Sequence, residues 1–126
     1  MGPTAFCVDN AREGVVSIIS VAGELDIATA PALQTALEGV WADGARHVLV
    51  DLTNTGFLES TGLRTLLIAS QKAAGAASLS IVCPNAGVRR VFELTGADEL
   101  LVMHDDRTTA LQWHQRRAQT VGVSCL

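Results

Sequence analysis

The sequence predicts a single α/β domain built on a mixed, mostly parallel β-sheet. Short apolar runs rich in β-branched residues alternate with segments whose apolar residues recur at helical spacing. That alternation is the pattern of strands joined by crossover helices. The first two strand-like runs are separated by a short polar link, which suits an antiparallel hairpin and makes the sheet mixed. A chain of 126 residues, 48% hydrophobic and 17% charged, has material for one core and the usual length of one domain.

The elements follow in order. Residues 1–5 read as a loose terminus. Phe6-Cys7-Val8 is weakly strand-like, residues 9–14 carry turn and polar residues, and 15–22 is a strong strand. Gly23-Glu24-Leu25-Asp26-Ile27-Ala28-Thr29-Ala30-Pro31 is expected to be a loop, because it combines a glycine with two carboxylates. Pro31 fits the first turn of a helix, where its missing N–H costs nothing. Leu33, Leu37, Val40 and Trp41 then share one helical face, and Gly44 ends it. A strand at 46–52 leads to a turn at Asn54-Thr55-Gly56.

The second helix opens at Ser60 and runs to about Ala74, with Leu63, Leu66 and Leu67 at helical spacing. After a turn at 75–77 comes a strand at 78–83. Pro84-Asn85 begins a short helix with Val88, Val91 and Phe92 inward, and Thr95-Gly96 reads as its stop. A last strand is expected at 100–103. Asp105-Asp106 then caps a final helix of about 107–117, with its acids in the favourable first turn. The domain is thus set at 1–117, and 118–126, with little to bury, is expected to be a flexible tail.

Composition narrows the function. A net charge of −4, with 9 basic against 13 acidic residues, argues against a nucleic-acid surface. Arg89-Arg90 and Arg116-Arg117 read as solvated helix faces. Cys7, Cys83 and Cys125 are widely spaced, with no C-x-x-C pair or Cys/His cluster, so no metal site is expected. An odd number of cysteines without a framework fits a reducing interior. Cys83 reads as a buried strand-end thiol and Cys125 as a tail thiol. No signal peptide and no membrane contact are expected, and the reading is a soluble cytoplasmic protein.

Catalysis finds little support. A nucleophilic serine needs a base in reach. His47 starts a strand and His104 follows one, which aims neither at Ser60; His114 falls in the last helix. Leu58-Glu59-Ser60-Thr61-Gly62 is not a G-x-S-x-G elbow, and no phosphate-cradling glycine loop is present. No catalytic residue and no cofactor are therefore expected, and the chain reads as a non-enzyme. Glu24 and Asp26 suit acid–base or metal work, but two carboxylates on a loop are more often solvated or helix-capping.

Ser60 stands at the start of a helix that follows a central strand. Backbone N–H groups and the helix dipole favour negative charge there. It is expected to be the N-cap, a role worth about 1 kcal/mol and sufficient in itself; the same holds for Thr61. Trp41 reads as core and Trp113 as partly exposed.

Three motifs in order extend this reading. Glu59-Ser60-Thr61-Gly62-Leu63, preceded by Val50-Asp51-Leu52 and Phe57-Leu58, resembles the signature of anti-sigma factor antagonists of the STAS family. Gly23-Glu24-Leu25-Asp26 with Thr29-Ala30-Pro31, and Val91-Phe92-Glu93-Leu94-Thr95-Gly96, agree with it, and the resemblance spans about Val15 to Leu111. It implies helices packed mainly on one face of the sheet and a partner-switching role. In that role the unmodified protein binds an anti-sigma factor that is also a serine kinase of the histidine-kinase-like ATPase type, which frees a sigma factor. The kinase phosphorylates the hydroxyl that maps onto Ser60, with Thr61 as backup, and a metal-dependent serine/threonine phosphatase restores the active form.

Partner contacts would come from Glu24, Asp26, Glu59, Thr61, Gly62 and Arg64, with no direct contact to nucleic acid. Arg64, one turn on from Ser60, is either a phosphate partner or a plain exposed residue. The family most often has aspartate where this chain has Glu59, which keeps the charge and adds a methylene. The alternative within the family is a scaffold or docking subunit of a stress-sensing or transport complex without a kinase switch.

Overall fold

Alternation along the strands sets the layers. In β2 (Val16–Leu25), Ile19 and Val21 face one side while Val16 and Ile18 face the other. In β3 (His47–Leu58), Val48, Val50 and Leu52 oppose Leu49 in the same way. Both faces are apolar and buried, as strands inside a parallel sheet require. The computed structural model describes residues 5–73 and 77–124, with side chains as far as Gln119. β1 (Cys7–Glu13), β4 (Ser78–Val82) and β5 (Val102–His104) complete a five-stranded sheet of order β1-β2-β3-β4-β5. β1 is antiparallel to β2, and the remaining pairs are parallel.

Each crossover moves one strand along in the same direction. Right-handed crossovers then put all three linking helices on one face. These are α1 (Ala30–Ala42), α2 (Ser60–Lys72) and α3 (Ala86–Thr95). Their Leu33, Leu37, Leu63, Leu66, Val88 and Phe92 form the main core with Ile19, Val21, Val50, Leu52 and Ile81. α4 (Arg107–Ser124) follows the last strand and covers the opposite face, where Ala110 and Leu111 meet Val16, Ile18, Leu49 and Val82. The expected α/β mixed sheet, with helices mainly on one face, is what forms.

Several caps agree with the sequence. A proline lies in the first turn of α1. Asn85 caps α3 by accepting from Gly87 N at 2.9 Å and Val88 N at 3.3 Å, and Gly96 ends it at φ +77°. Asp106 accepts from Thr109 N at 2.7 Å at the start of α4.

The strands depart from expectation in four places. Residues 9–13 are strand rather than turn, paired from Asp9↔Ser20 to Glu13↔Val16. An edge strand tolerates such polar side chains, and the turn shrinks to Gly14-Val15, with Gly14 at φ +60°. Gly23, Glu24 and Leu25 belong to β2, and Asn54-Thr55-Gly56 belongs to β3 rather than to a turn. The pairs Ala22↔Asn54, Gly23↔Thr55, Glu24↔Phe57 and Leu25↔Leu58 carry the ladder on through two register shifts, which absorb the turn-like residues. β5 begins at Val102, because Ala97–Glu99 forms a 3₁₀ turn that leaves Leu100 exposed and Leu101 buried. The α4 backbone continues to Ser124 rather than ending near 117, since no glycine or proline interrupts it before Gly122. Residues 1–4, 74–76 and 125–126 lie outside the described residues, and with them the expected helix end at Ala74, the turn at Gly75-Ala76 and Cys125.

Two polar inlays anchor α4 to the sheet. Arg107 donates from Nε and Nη2 to Asp51 Oδ2 at 3.0 and 2.7 Å, and from Nη2 to Ser20 Oγ at 3.2 Å. Burial alone pushes the Asp51 carboxyl up, but hydrogen bonds from Thr53 and the Arg107 guanidinium outweigh it and hold the group below the usual carboxylate range. His114 is fully buried, with Nε2 2.7 Å from Ser80 Oγ and Nδ1 3.0 Å from Ser78 Oγ. Ser78 Oγ also lies 2.8 Å from His47 Nδ1. Burial, and then the neighbouring His47, His104 and Arg117, push His114 down to about 4.

Candidate functional site

β2 and β3 end side by side, and Leu25↔Leu58 is their last pair. Asp26 and Glu59 therefore leave the sheet together, at the carboxyl end of the parallel strands. The loop after β2 is locked by its own side chains. Asp26 Oδ1 accepts from Ala28 N at 3.0 Å and Thr29 N at 3.1 Å. Thr29 Oγ1 accepts from Asp26 N at 2.9 Å and lies 2.8 Å from Glu24 O. This is an Asx-type turn that leads into α1, and Asp26 locks the loop from within. The N-cap of α1 is Thr29, with no side-chain cap bond, so Asp26 engages the amides of its own loop rather than those of the helix.

Glu59, not Ser60, is the N-cap of α2, with an extended backbone at φ −113°, ψ 176°. β3 runs to Leu58 and leaves one residue between strand and helix, which shifts the cap back by one. The Glu59 side chain makes no cap bond to its own helix. Its Oε1 instead accepts from Ile27 N at 2.7 Å, while Glu59 N donates to Leu25 O at 3.0 Å. Ser60 becomes the first helical residue; it is exposed, and among the described residues its hydroxyl has no hydrogen-bond partner. Leu63 N to Glu59 O, at 3.1 Å, is the bond that opens the helix. The amides of Ser60, Thr61 and Gly62 precede it, without a partner one turn back.

Gly62 lies behind this surface rather than on it. It is buried, and a Cβ there would sit 2.6 Å from Leu25 Cγ and 3.0 Å from Leu58 Cδ1. The first turn of α2 thus presses directly on the ends of both strands, a close approach only glycine allows. The expectation of Gly62 as a partner contact gives way to a packing role. Thr61 is half-buried, with its carbonyl accepting from Thr65 Oγ1 at 3.0 Å. Arg64 is exposed one turn on from Ser60, and Glu24 is exposed on β2 beside Phe57.

Two residues at this surface were not singled out from the sequence. Ile27 is 72% and Phe57 48% exposed, large apolar side chains, the first on the residue whose amide bonds Glu59 and the second two residues before Glu59 in β3. The signal was present in part. Phe57 and Leu58 are consecutive in a strand, so only one can face the core, and Leu58 does. Ile27 sits in a turn among polar residues, where nothing offers it a core. A hydroxyl at a helix start, flanked by exposed apolar side chains and carboxylates, suits docking of another protein better than catalysis. His47 and His114 are engaged with Ser78 and Ser80 on the α4 face. Among the described residues, no cluster of three or more His, Cys, Asp or Glu is placed to hold a metal ion. No described helix is long and apolar enough to cross a membrane.

Residues 8–110 match the model of the STAS domain family. The anti-sigma-F factor antagonist RsfB of Mycobacterium tuberculosis is 32% identical over 110 residues, covering 84% of this chain and 90% of that protein. The anti-sigma-B factor antagonist of Staphylococcus aureus is 34% identical over 89 residues, covering 69% of this chain and 82% of its own length. A crystal structure of an anti-sigma factor antagonist from Mycobacterium paratuberculosis superposes with a TM-score of 0.84 at 31% identity, covering 88% of this chain and 95% of that one. The matched segment runs from β1 into the first turn of α4, and the chain belongs to the STAS domain family.

Proposed function

We propose that this protein is an anti-sigma factor antagonist whose binding is switched off by phosphorylation of Ser60. The observation that carries the reading is the Ser60 hydroxyl: exposed, without a hydrogen-bond partner among the described residues, and on the first residue of α2. The exposed Ile27 and Phe57 beside it would be buried by a partner and supply apolar contact. The exposed Glu24 would meet basic groups on that partner. The similarity to antagonists of two sigma systems supports an anti-sigma factor as the partner. A partner of the histidine-kinase-like ATPase type would also be the kinase, and a metal-dependent serine/threonine phosphatase would reverse the reaction.

In the switching step the Ser60 oxygen attacks the γ-phosphorus of ATP. The new O–P bond replaces the bond to the departing ADP, and the hydroxyl proton passes to a base on the kinase. The phosphate brings about −1.5 to −2 charges. The N-terminus of α2 tolerates them, so the fold survives. At the docking surface, beside the apolar Ile27 and Phe57, a phosphate must be desolvated where the partner would otherwise meet a small neutral hydroxyl, and that weakens binding. Arg64 reaches toward the phosphate from the next turn and offsets part of the charge.

The experiment is incubation of the purified chain with candidate anti-sigma kinases and ATP, followed by mapping of phosphate by mass spectrometry. The reading expects phosphate on Ser60 and none in Ser60→Ala. A kinase that binds the chain but leaves Ser60 unmodified would overturn the switch and leave a docking protein.

A further inference from the structure

We infer that Glu59 is a charge-sensitive latch: it holds loop 26–29, and with it Ile27, in the partner-facing position, and a phosphate on Ser60 releases it. The inference deepens the reading just given and rests on Ser60 being the modified residue.

The geometry of Glu59 is the starting point. An acidic N-cap ordinarily accepts from the amides of its own helix. Here the carboxylate reaches across to another segment, where Oε1 accepts from Ile27 N at 2.7 Å. That length belongs to charge-assisted hydrogen bonds. Among the described residues, this bond and the one from Glu59 N to Leu25 O are the hydrogen bonds that tie the loop to the start of α2. The Leu25 bond lies at the root of the loop, next to the packing under Gly62. The Glu59 side chain alone holds its tip.

The loop is fixed at both ends and held at its tip by Glu59. Asp26 and Thr29 lock residues 26–29 to each other, Thr29 Oγ1 donates to Glu24 O at 2.8 Å, and Ala30 N donates to Asp26 O at 2.8 Å at the buried start of α1. Freed from Glu59, the ends stay in place and the tip at Ile27 loosens. Ile27, 72% exposed, is the side chain whose position changes. The extra methylene of glutamate thereby acquires a use. Aspartate at this position falls short of Ile27 N and turns back to cap α2, which leaves the loop unheld.

A phosphate on Ser60 stands one residue from this carboxylate. In an exposed site a dianion on the neighbouring residue disfavours the closed arrangement by the difference between its repulsion of the held and of the released carboxylate, about threefold. It also accepts from the open amides at the start of α2, which have no capping side chain. Repulsion requires that residue 59 be charged, whereas holding the loop requires only an acceptor of the right reach. Glu59→Gln separates the two: it closes the loop but does not feel the phosphate.

The test uses the full chain alone, with serine or biosynthetically incorporated phosphoserine at position 60, and reads hydrogen exchange of the Ile27 amide by NMR. With serine, Ile27 is protected in the wild type and in Glu59→Gln. It exchanges about tenfold faster in Glu59→Asp and Glu59→Ala. With phosphoserine, exchange rises about threefold in the wild type and stays slow in Glu59→Gln. Amides of β3 keep their protection throughout, which separates loop release from loss of fold. Equal protection of Ile27 in the wild type and Glu59→Ala would overturn the latch. So would an equal response to phosphoserine in the wild type and Glu59→Gln. No kinase is involved, so failure of the latch is read apart from failure of Ser60 as a kinase substrate.

Discussion

Acidification from about pH 6.5 to about pH 5 is expected to destabilise this domain by about 1.5 kcal/mol through His114. His114 is fully buried between Ser78 and Ser80 and is held down to about 4, against 6.5 for an ordinary histidine. Between those two values the unfolded chain binds a proton that the folded chain refuses. Stability therefore falls as pH drops through that window, by about 1.4 kcal/mol per pH unit for one histidine. His47 and His104 are also pushed down, chiefly by burial, and add in the same direction. The low-lying carboxyls of Asp51 and Asp106 stabilise above the usual carboxylate range, and their contribution is lost only at lower pH. The window above about pH 5 thus belongs to the histidines.

Urea unfolding at half-unit steps of pH measures the effect, with His114→Gln alongside to remove one titrating group while keeping an amide for the serines. The wild-type slope should exceed that of the variant by about 1.4 kcal/mol per pH unit. A flat wild-type profile between about pH 6.5 and 5, or equal slopes in the two proteins, would refute the buried neutral inlay that fixes α4.

Other substitutions probe the packing and the surface. Gly62→Ala forces a Cβ to within 2.6 Å of Leu25 Cγ, and overpacking of about 1–3 kcal/mol outweighs the roughly 1 kcal/mol that alanine returns to a helix. Thermal unfolding should show a lower Tm; an unchanged or raised Tm contradicts the close approach. Arg107→Ala strips the ion pair from the Asp51 carboxylate and should cost about 2 kcal/mol at neutral pH. Because Asp51 is held low in the wild type, that cost should fade in urea titrations below the usual carboxylate range, where the carboxyl protonates. Ile27→Ser and Phe57→Ser remove exposed side chains, so stability should hold within about 0.5 kcal/mol while affinity for the anti-sigma factor drops tenfold or more, a loss of about 1.4 kcal/mol or beyond.

The sequence was most informative where one signal had one structural outcome. The apolar runs of β3 and β4, the Pro31 start of α1, the Asn85 cap and Gly96 stop of α3, and the Asp106 cap of α4 form as their residue types require. It was least informative where long-range pairing overrides local preference. Gly23 and Asn54-Thr55-Gly56 carry turn chemistry, yet the β2–β3 ladder draws them into strand, and Thr55 is buried with Oγ1 donating to Val21 O at 2.8 Å. That extension moved the cap of α2 from Ser60 to Glu59. The hydroxyl was found at the helix start but in a different role, free rather than capping. The bond from Ile27 N to Glu59 spans 32 residues and has no local pattern to announce it. The buried inlay of His47, Ser78, Ser80 and His114 was likewise silent, because its members are spread over two strands and a helix.

The measurement that bears most directly on the switch is calorimetric titration of the cognate anti-sigma factor with the full chain, carrying serine or phosphoserine at position 60. The account predicts tight binding of the serine form, affinity lower by about a hundredfold or more for the phosphoserine form, and the same circular dichroism spectrum for both. Equal affinity of the two forms would contradict it.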